Sequence, residues 1–173
     1  FNTVGGAISL DAGAGPISAT ALRFEVDGYR LVGDPLILGA PMTPIEVVRR
    51  GDTAMIASRI TGANGLVKLG AGTLVLSGAN TYTGGTTLAA GTVSVGADAN
   101  LGGRTGGLNF DGGTLATTAS FTTARPVALA TGGGTVTQGS PGTTLTLAGT
   151  VSGGGTFTQA GPGTLVLAAD NRA

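Results

Sequence analysis

Three charged side chains near the start of the sequence alternate with apolar ones and have the types needed for acid–base chemistry. Arg23, Glu25 and Asp27 flank Phe24 and Val26, so a strand would place all three charges on its outer face. Paired carboxylates beside a base are the groups that act on glycosidic bonds. No other acidic residues cluster with this pair in the sequence, and Arg23 neutralises it. The pattern therefore favours a solvated, ion-paired face over a catalytic one.

One tripeptide has the composition of a recognition signal. Arg50-Gly51-Asp52 resembles the sequence with which some adhesins engage integrins. Chance alone gives such a tripeptide in roughly one chain in ten of this composition, so a charged turn between two strands is the simpler explanation. A recognition role requires an exposed, protruding loop. The candidate cell-attachment turn is therefore Arg50, Gly51 and Asp52, with a host cell-surface or matrix protein as the partner.

Metal and cofactor chemistry finds little support in the sequence. The chain has no cysteine and no histidine, which leaves only oxygen ligands, and the acidic residues Asp98, Asp111 and Asp170 are isolated from one another. The glycine pair in Gly70-Ala71-Gly72 opens a strand and lacks the continuation of a phosphate-binding loop. We expect no metal, no cofactor and no catalytic residues.

Composition and charge limit the classes of partner. The 173 residues include 34 glycines, 41% are hydrophobic, 10% are charged, and the formal net charge is zero. This apolar content predicts a folded chain. The balanced charge gives no excess of basic residues of the kind that binds nucleic acid. No apolar run approaches the roughly 18 residues of a membrane-spanning helix, so we expect no membrane insertion by this segment.

Hydrophobic periodicity predicts short strands throughout. Leucines and threonines alternate in Thr144-Leu145-Thr146-Leu147, and glycine-rich breaks separate such segments and supply the corners. The segment Thr43-Pro44-Ile45-Glu46 has the form of a helix-capping box, but its β-branched continuation ends at a glycine within a few residues. We therefore expect a strand there too.

An internal repeat separates a solenoid from an antiparallel sandwich. Residues 60–80 align without gaps onto residues 151–171 at an offset of 91, with eight of 21 positions identical. A repeated module of several strands with glycine corners fits a stack of coils better than a sandwich, which stays the alternative. We expect one continuous β-solenoid over residues 1–173, with repeat modules at approximately 8–80 and 101–171.

The segment from Gly65 to Thr87, with the core Gly72-Thr73-Leu74-Val75-Leu76, resembles the autotransporter-associated β-strand repeat, and a second, shorter copy begins at Gly161. The resemblance implies a right-handed parallel β-helix from the passenger of a Gram-negative type V secreted protein. It also implies export through an outer-membrane barrel to the bacterial cell surface or medium. The chain itself is expected to be a fragment of such a passenger.

Individual side chains can be assigned to the expected coil. Asn80 and Asn171 occupy equivalent corners, where a repeated asparagine forms a side-chain ladder or adopts a left-handed backbone conformation, and either role is structural. Tyr82 is expected to cover the exterior of the coil or a corner. The Thr-x-Thr pairs at 135/137, 144/146 and 156/158 are unequally spaced and predict no regular threonine lattice. One continuous core is expected to contain Leu74, Leu76, Val93, Val95, Leu145, Leu147, Phe157, Leu165 and Leu167.

Three functions fit these expectations. The first is a surface-exposed stalk, a structural scaffold with an adhesin role that binds a host cell-surface or matrix protein or self-associates between cells. The second is a passive spacer that promotes folding or secretion of another domain. The third is a fragment of a carbohydrate-active β-helix enzyme, which would require carboxylates from successive coils to converge in a groove. We expect no enzyme.

Overall fold

The computed structural model describes residues 5–169 and confirms an all-β parallel solenoid. The chain completes seven turns and begins an eighth, and every strand pairing is parallel. The antiparallel sandwich is therefore excluded, while the right-handed coil implied by the resemblance stays a prediction. Within residues 5–169 we find no helix that is both long and apolar enough to cross a membrane.

The strands are short, and most turns contribute three. In chain order they are β1 (Ala7–Leu10), β2 (Ile17–Ala19), β3 (Leu22–Phe24), β4 (Tyr29–Gly33), β5 (Leu36–Leu38), β6 (Met42–Val47), β7 (Thr53–Ile56), β8 (Ile60–Thr61), β9 (Gly65–Leu69), β10 (Thr73–Leu76), β11 (Thr86–Leu88), β12 (Thr92–Val95), β13 (Leu108–Phe110), β14 (Thr114–Thr117), β15 (Phe121–Thr123), β16 (Val127–Leu129), β17 (Gly134–Gln138), β18 (Thr144–Leu147), β19 (Val151–Gly153), β20 (Phe157–Ala160) and β21 (Thr164–Leu167). A 3₁₀ helix, Asp98–Leu101, lies between β12 and β13.

These strands form three faces around one core. The eight-stranded face runs β1-β4-β7-β10-β12-β14-β17-β20, and the seven-stranded face runs β3-β6-β9-β11-β13-β16-β19. The third, which we call the split face, has two separate three-stranded sheets, β2-β5-β8 and β15-β18-β21. In the fourth and fifth turns the split face has no strand. Isolated main-chain hydrogen bonds, such as that from the N–H of Thr81 to the carbonyl of Ile60, join the turns there together with side-chain hydrogen bonds.

Alternation along each strand builds the core, as the period-two pattern predicts. Six of the nine expected core residues, Leu74, Leu76, Val93, Val95, Leu145 and Leu147, are buried and belong to one apolar cluster. The prediction is wrong at the last turn. Phe157 and Leu165 are only half-buried and Leu167 is 48% exposed, because no described strand stacks beyond them.

The capping-box segment is a strand, as expected, and lies within β6. The predicted outer-face strand through Arg23, Glu25 and Asp27 is only partly correct. Strand β3 ends at Phe24, so Arg23 is the one charge of the three inside the strand, while Glu25 and Asp27 lie in the exposed connection that follows.

The two copies of the internal repeat lie on different faces. Thr73–Leu76 belongs to the eight-stranded face, but the aligned segment Thr164–Leu167 belongs to the split face. The register explains the shift, since Thr158, not Thr164, lies four turns along the same column as Thr73. The offset of 91 residues is therefore longer than four turns, so the second copy of the motif lies past one corner, on the next face. The module boundaries at 8–80 and 101–171 stay a prediction.

Candidate functional site

A single-file ladder of threonines runs along the outside of the eight-stranded face. Six consecutive turns place threonine at the same register position: Thr53, Thr73, Thr92, Thr114, Thr135 and Thr158. Their neighbours along each strand are the inward, mostly buried residues, so the threonines face outward. With strands about 4.8 Å apart, the ladder is about 24 Å long.

This single column, with one threonine per turn, is distinct from the lattice of Thr-x-Thr pairs that the sequence does not support. The sequence spacing between its members varies from 19 to 23 residues. The extra residues lie in the corners between the strands, so the unequal spacing does not change which residues of adjacent strands pair. The Thr-x-Thr pairs considered from the sequence were misleading, because 135/137 lies on the eight-stranded face and 144/146 on the split face.

The column beside the threonine ladder is also uncharged over the last five turns. From β10 to β20 its outward residues are Val75, Ser94, Ala116, Thr137 and Ala160. These side chains are short, and none adds a ring or a charge. The eight-stranded face therefore presents a regular, neutral strip of hydroxyl and methyl groups, in which each threonine hydroxyl can both donate and accept a hydrogen bond.

The candidate cell-attachment turn connects β6 to β7. Arg50 and Gly51 are exposed, and Gly51 has a φ of 94°, a conformation that favours glycine. Asp52 is only half-buried as a residue, but its Oδ2 atom is buried without a hydrogen-bond partner. The main-chain N–H of Asp52 donates to the carbonyl of Arg49 at 3.2 Å, which closes the turn. The turn therefore displays its arginine more fully than its carboxylate.

The charges near the start of the sequence form ion pairs on the surface of the seven-stranded face. Arg23 Nε lies 3.0 Å from Glu25 Oε1, and Arg23 Nη1 lies 3.4 Å from Glu46 Oε2 on the next turn. Asp27 does not join them, because its Oδ1 accepts a 2.7 Å hydrogen bond from the N–H of Thr53. The arrangement pairs opposite charges across two turns.

Lys68 occupies an inward position on the seven-stranded face. It pairs with Ile45 on one side and Leu88 on the other, and it is fully buried. Its ammonium group donates to the carbonyls of Leu69 and Gly70 at 2.7 and 2.8 Å, at the corner that follows β9. Burial lowers the pKa of Lys68 to about 8, although the nearby Glu46 carboxylate opposes the shift.

Two asparagines add side-chain hydrogen bonds between turns where the split face is interrupted. Asn80 Oδ1 accepts the N–H of Ile60 at 2.8 Å, and Asn80 Nδ2 donates to the carbonyl of Asn100 at 2.6 Å. Asn100 in turn donates to the carbonyl of Gly78 at 3.0 Å. Asn80 thus has the structural ladder role expected from the sequence, but its described partner is Asn100, since Asn171 lies outside the described residues.

Tyr82 is buried, so it does not cover the exterior, which was one of the two positions expected for it. Its hydroxyl lies 2.6 Å from Thr86 Oγ1, and Gly102 packs against the ring. Burial raises the pKa of Tyr82 to about 12. The phenol fills space that a strand side chain fills in the other turns.

Arg125 reaches the same region from the sixth turn. It is 1% exposed, and its Nε donates to Asp98 Oδ1 at 2.8 Å. The other guanidinium nitrogens donate to the main-chain carbonyls of Asp98, Gly102, Gly103 and Gly106. We call Asn80, Tyr82, Asn100 and Arg125, which lie where the split face is interrupted, the polar cluster; Lys68 lies at a different corner and is not part of it.

Of these buried polar side chains, Asn80 and Tyr82 were singled out from the sequence, but Lys68, Asn100 and Arg125 were not. Alternation does signal Lys68, because it follows Leu66 at a period of two. No such pattern marks Arg125, which lies outside the strands, between β15 and β16. In the described part of the chain, no three His, Cys, Asp or Glu residues form a group that could hold a metal ion.

Comparisons with known proteins agree with this fold. Residues 66–95 and 157–172 match the family described as passenger-associated-transport-repeat. The first match covers the ladder strands β10 and β12 and also includes Lys68, Asn80 and Tyr82. No solved structure matches the chain.

The fold and the matched repeats define the class: the chain is a β-solenoid of the autotransporter passenger type. A relative from Brucella suis biovar 1 (strain 1330), the adhesin BmaC autotransporter, is 41% identical over 137 residues. This alignment covers 75% of the chain and 4% of the adhesin. The chain is thus an autotransporter passenger segment related to an adhesin, and it spans a small fraction of that relative's length.

Proposed function

We propose that this segment is a surface-displayed stalk that also makes adhesive contacts, and that it is not an enzyme. The observation that carries the proposal is the neutral strip along the eight-stranded face, in a chain related to an adhesin. Export through the outer membrane places the segment at the cell surface or in the medium. The continuous parallel ladders of the eight-stranded and seven-stranded faces make it stiff enough to act as a scaffold.

The strip suits protein contact for a physical reason. Burying charged side chains in an interface carries a desolvation cost, and interface centres are depleted of charge. The strip is free of charge from β10 to β20, and its side chains are short, so a partner can approach its backbone closely. The proposed partners are a host cell-surface or matrix protein, or the same segment on a neighbouring cell.

The test is binding of the purified protein to mammalian cells and to extracellular-matrix proteins. The variant Thr92→Arg/Thr135→Arg puts two charges into the strip, and we expect at least a tenfold loss of binding. The matched control is Thr146→Arg, an outward, half-buried threonine on the split face. Equal loss in both variants would contradict the strip as the contact surface.

The turn with Arg50, Gly51 and Asp52 is the second candidate contact, because Arg50 and Gly51 are exposed between two strands. Asp52→Glu keeps the charge but lengthens the side chain. If attachment to cells is lost in this variant alone, the turn carries the recognition. If no form of the protein binds, the segment is a passive spacer that promotes folding or secretion.

A further inference from the structure

The charges in the later turns of the solenoid are concentrated at one place. Residues 71–169 contain four charged side chains, Asp98, Arg104, Asp111 and Arg125. All of them except Asp111 line a single pocket, together with Thr122 and Ala124. Three of the four charges in this long, otherwise neutral stretch therefore meet at one site.

The pocket lies where the split face is interrupted. Asp98 and Arg104 belong to the fifth turn, in which a 3₁₀ helix and the connection after it stand in place of a strand. Thr122 belongs to β15 in the sixth turn, where the split face resumes. The pocket between these two turns has a volume of about 220 Å³. Described turns stack on both sides of them, so the pocket does not depend on either end of the described solenoid.

One side of the pocket is held rigidly by the buried ion pair. Arg125 is 1% exposed, and its Nε donates to Asp98 Oδ1 at 2.8 Å. The second carboxylate oxygen, Asp98 Oδ2, is bound less closely, at 3.4 Å from Arg125 Nη2. The Asp98 side chain is still 19% exposed. Because a carboxylate oxygen has more than one lone pair, Asp98 can accept a further hydrogen bond from a ligand.

The other side of the pocket has a cation without a partner. Arg104 is exposed, and no carboxylate of residues 5–169 lies within ion-pairing distance of its guanidinium group. Thr122 is also exposed and presents an outward hydroxyl group from β15. Asp98 and Arg125 neutralise each other, so the pocket has the net positive charge of Arg104.

This set of groups matches an acidic sugar better than an acidic peptide. A carboxylate on the ligand can pair with the planar guanidinium of Arg104, and ring hydroxyls supply the donors that Asp98 can accept. An acidic peptide side chain offers a carboxylate alone, which would face the Asp98 carboxylate without a donor. Pockets that enclose a whole small ligand measure about 300–1,000 Å³, so this smaller one suits a single sugar residue of a larger glycan.

We propose that the pocket binds one carboxylate-bearing sugar residue, a uronic acid or a sialic acid, within a glycan. Arg104 binds the sugar carboxylate, Asp98 accepts a hydrogen bond from a ring hydroxyl, and the hydroxyl of Thr122 contacts the same residue. The site lies on the split-face side of the solenoid, whereas the strip proposed for protein contact lies on the eight-stranded face. Glycan binding is therefore separate from that contact, and either can fail without the other.

Isothermal titration calorimetry with two acidic probes tests the site. Sialyllactose is compared with lactose, and a hyaluronan tetrasaccharide is compared with N-acetylchitotetraose, so each acidic probe has a neutral counterpart. The two pairs distinguish a sialic acid from a uronic acid. We expect the acidic member of at least one pair to bind at least tenfold more tightly than the neutral one. Equal affinities within both pairs, or no binding of either acidic probe, would overturn the proposal.

Arg104→Met removes the unpaired cation and should weaken binding of the acidic probe at least tenfold. Arg59→Met is the matched control, because Arg59 is also exposed but lies between β7 and β8 in the third turn. This control should bind like the unmodified chain, and circular dichroism should confirm that both variants fold. Equal loss in the two variants would reduce the effect to overall charge and overturn the assignment to the pocket.

A hexaglutamate peptide tests the other class of ligand. We expect it to bind at least tenfold more weakly than the acidic sugar, because it has no hydroxyl groups for Asp98. Arg104-dependent binding of the peptide, without binding of either acidic sugar, would assign the pocket to an acidic protein and overturn the proposal.

Discussion

Arg125 and Asp98 form a buried ion pair across 27 positions of sequence, with Arg125 Nε 2.8 Å from Asp98 Oδ1. The pair joins the 3₁₀ helix of the fifth turn to the connection that follows β15 in the sixth. Main-chain carbonyls accept hydrogen bonds from the other two nitrogens of the guanidinium group. The pair lies where the split face lacks strands, so side-chain hydrogen bonds there replace part of a sheet.

Arg125→Met should strongly destabilise the solenoid. The substitution leaves the Asp98 carboxylate and several carbonyls without their donor, and breaking a buried pair in this way costs about 3–5 kcal/mol. Urea unfolding followed by circular dichroism measures the loss. Arg104→Met, at an exposed position in the connection that supplies the Gly103 and Gly106 carbonyls, is the control and should change little. A similar midpoint for both variants would contradict the role assigned to Arg125.

Lys68 should make stability depend on pH. Its pKa in the folded chain, about 8, is below its ordinary value of 10.5, so the folded state releases this proton first. The destabilising effect of the buried charge is complete below about pH 8 and is relieved as the pH rises towards 10.5. The melting temperature of the unmodified chain should therefore rise relative to Lys68→Met between about pH 8 and pH 10. A constant difference across that range would contradict a buried ammonium group.

The asparagine ladder should control local opening of the fourth turn. Asn80→Ala removes an acceptor from the N–H of Ile60 and a donor from the carbonyl of Asn100, and each unsatisfied buried group costs about 1–3 kcal/mol. Hydrogen exchange at Ile60 should become faster, while exchange in β17 changes less. Asn109→Ala, at an outward position on the seven-stranded face, is the control. Unchanged protection of the Ile60 N–H from hydrogen exchange would contradict the stabilising role of the asparagine ladder.

One glycine is required by packing. A methyl group on Gly134 would overlap the ring of Phe110 on the adjacent face, whereas one on Gly139 would meet no atom within 4 Å. Gly134→Ala should therefore lower stability by about 1–3 kcal/mol through overpacking. Gly139→Ala should be neutral or slightly stabilising, since alanine restricts the unfolded chain. Thermal unfolding of the two variants separates these effects, and equal melting temperatures would contradict the close packing at Phe110.

The sequence predicts the strands better than it predicts their register. Alternation of Leu74 and Leu76 with outward residues was sufficient to identify a buried strand face, because burial in a strand follows a period of two. The threonine ladder could not be found in the same way. Its members are separated by corners of variable length, so only strand pairing reveals that Thr92 and Thr114 are neighbours.

Buried polar side chains were the main failure of prediction. Tyr82 and Arg125 lie outside regular strands, where no periodicity indicates which side of the coil they face. Their burial depends on contacts with a neighbouring turn: Tyr82 packs against Gly102, and Arg125 bonds Asp98 and Gly102. A pattern confined to one segment of sequence carries no information on such contacts.

Turn-by-turn register is the central claim, because every surface and contact described above depends on it. The chain has no cysteine, so Thr73→Cys/Thr158→Cys gives two unique sites for spin labels. The register places these residues four turns apart in one column, about 19 Å along the axis. Pulsed electron paramagnetic resonance should give one narrow distance distribution near about 19 Å, after allowance for the label linkers. A broad distribution, or one centred far from that value, would contradict the stacked register and the ladder built on it.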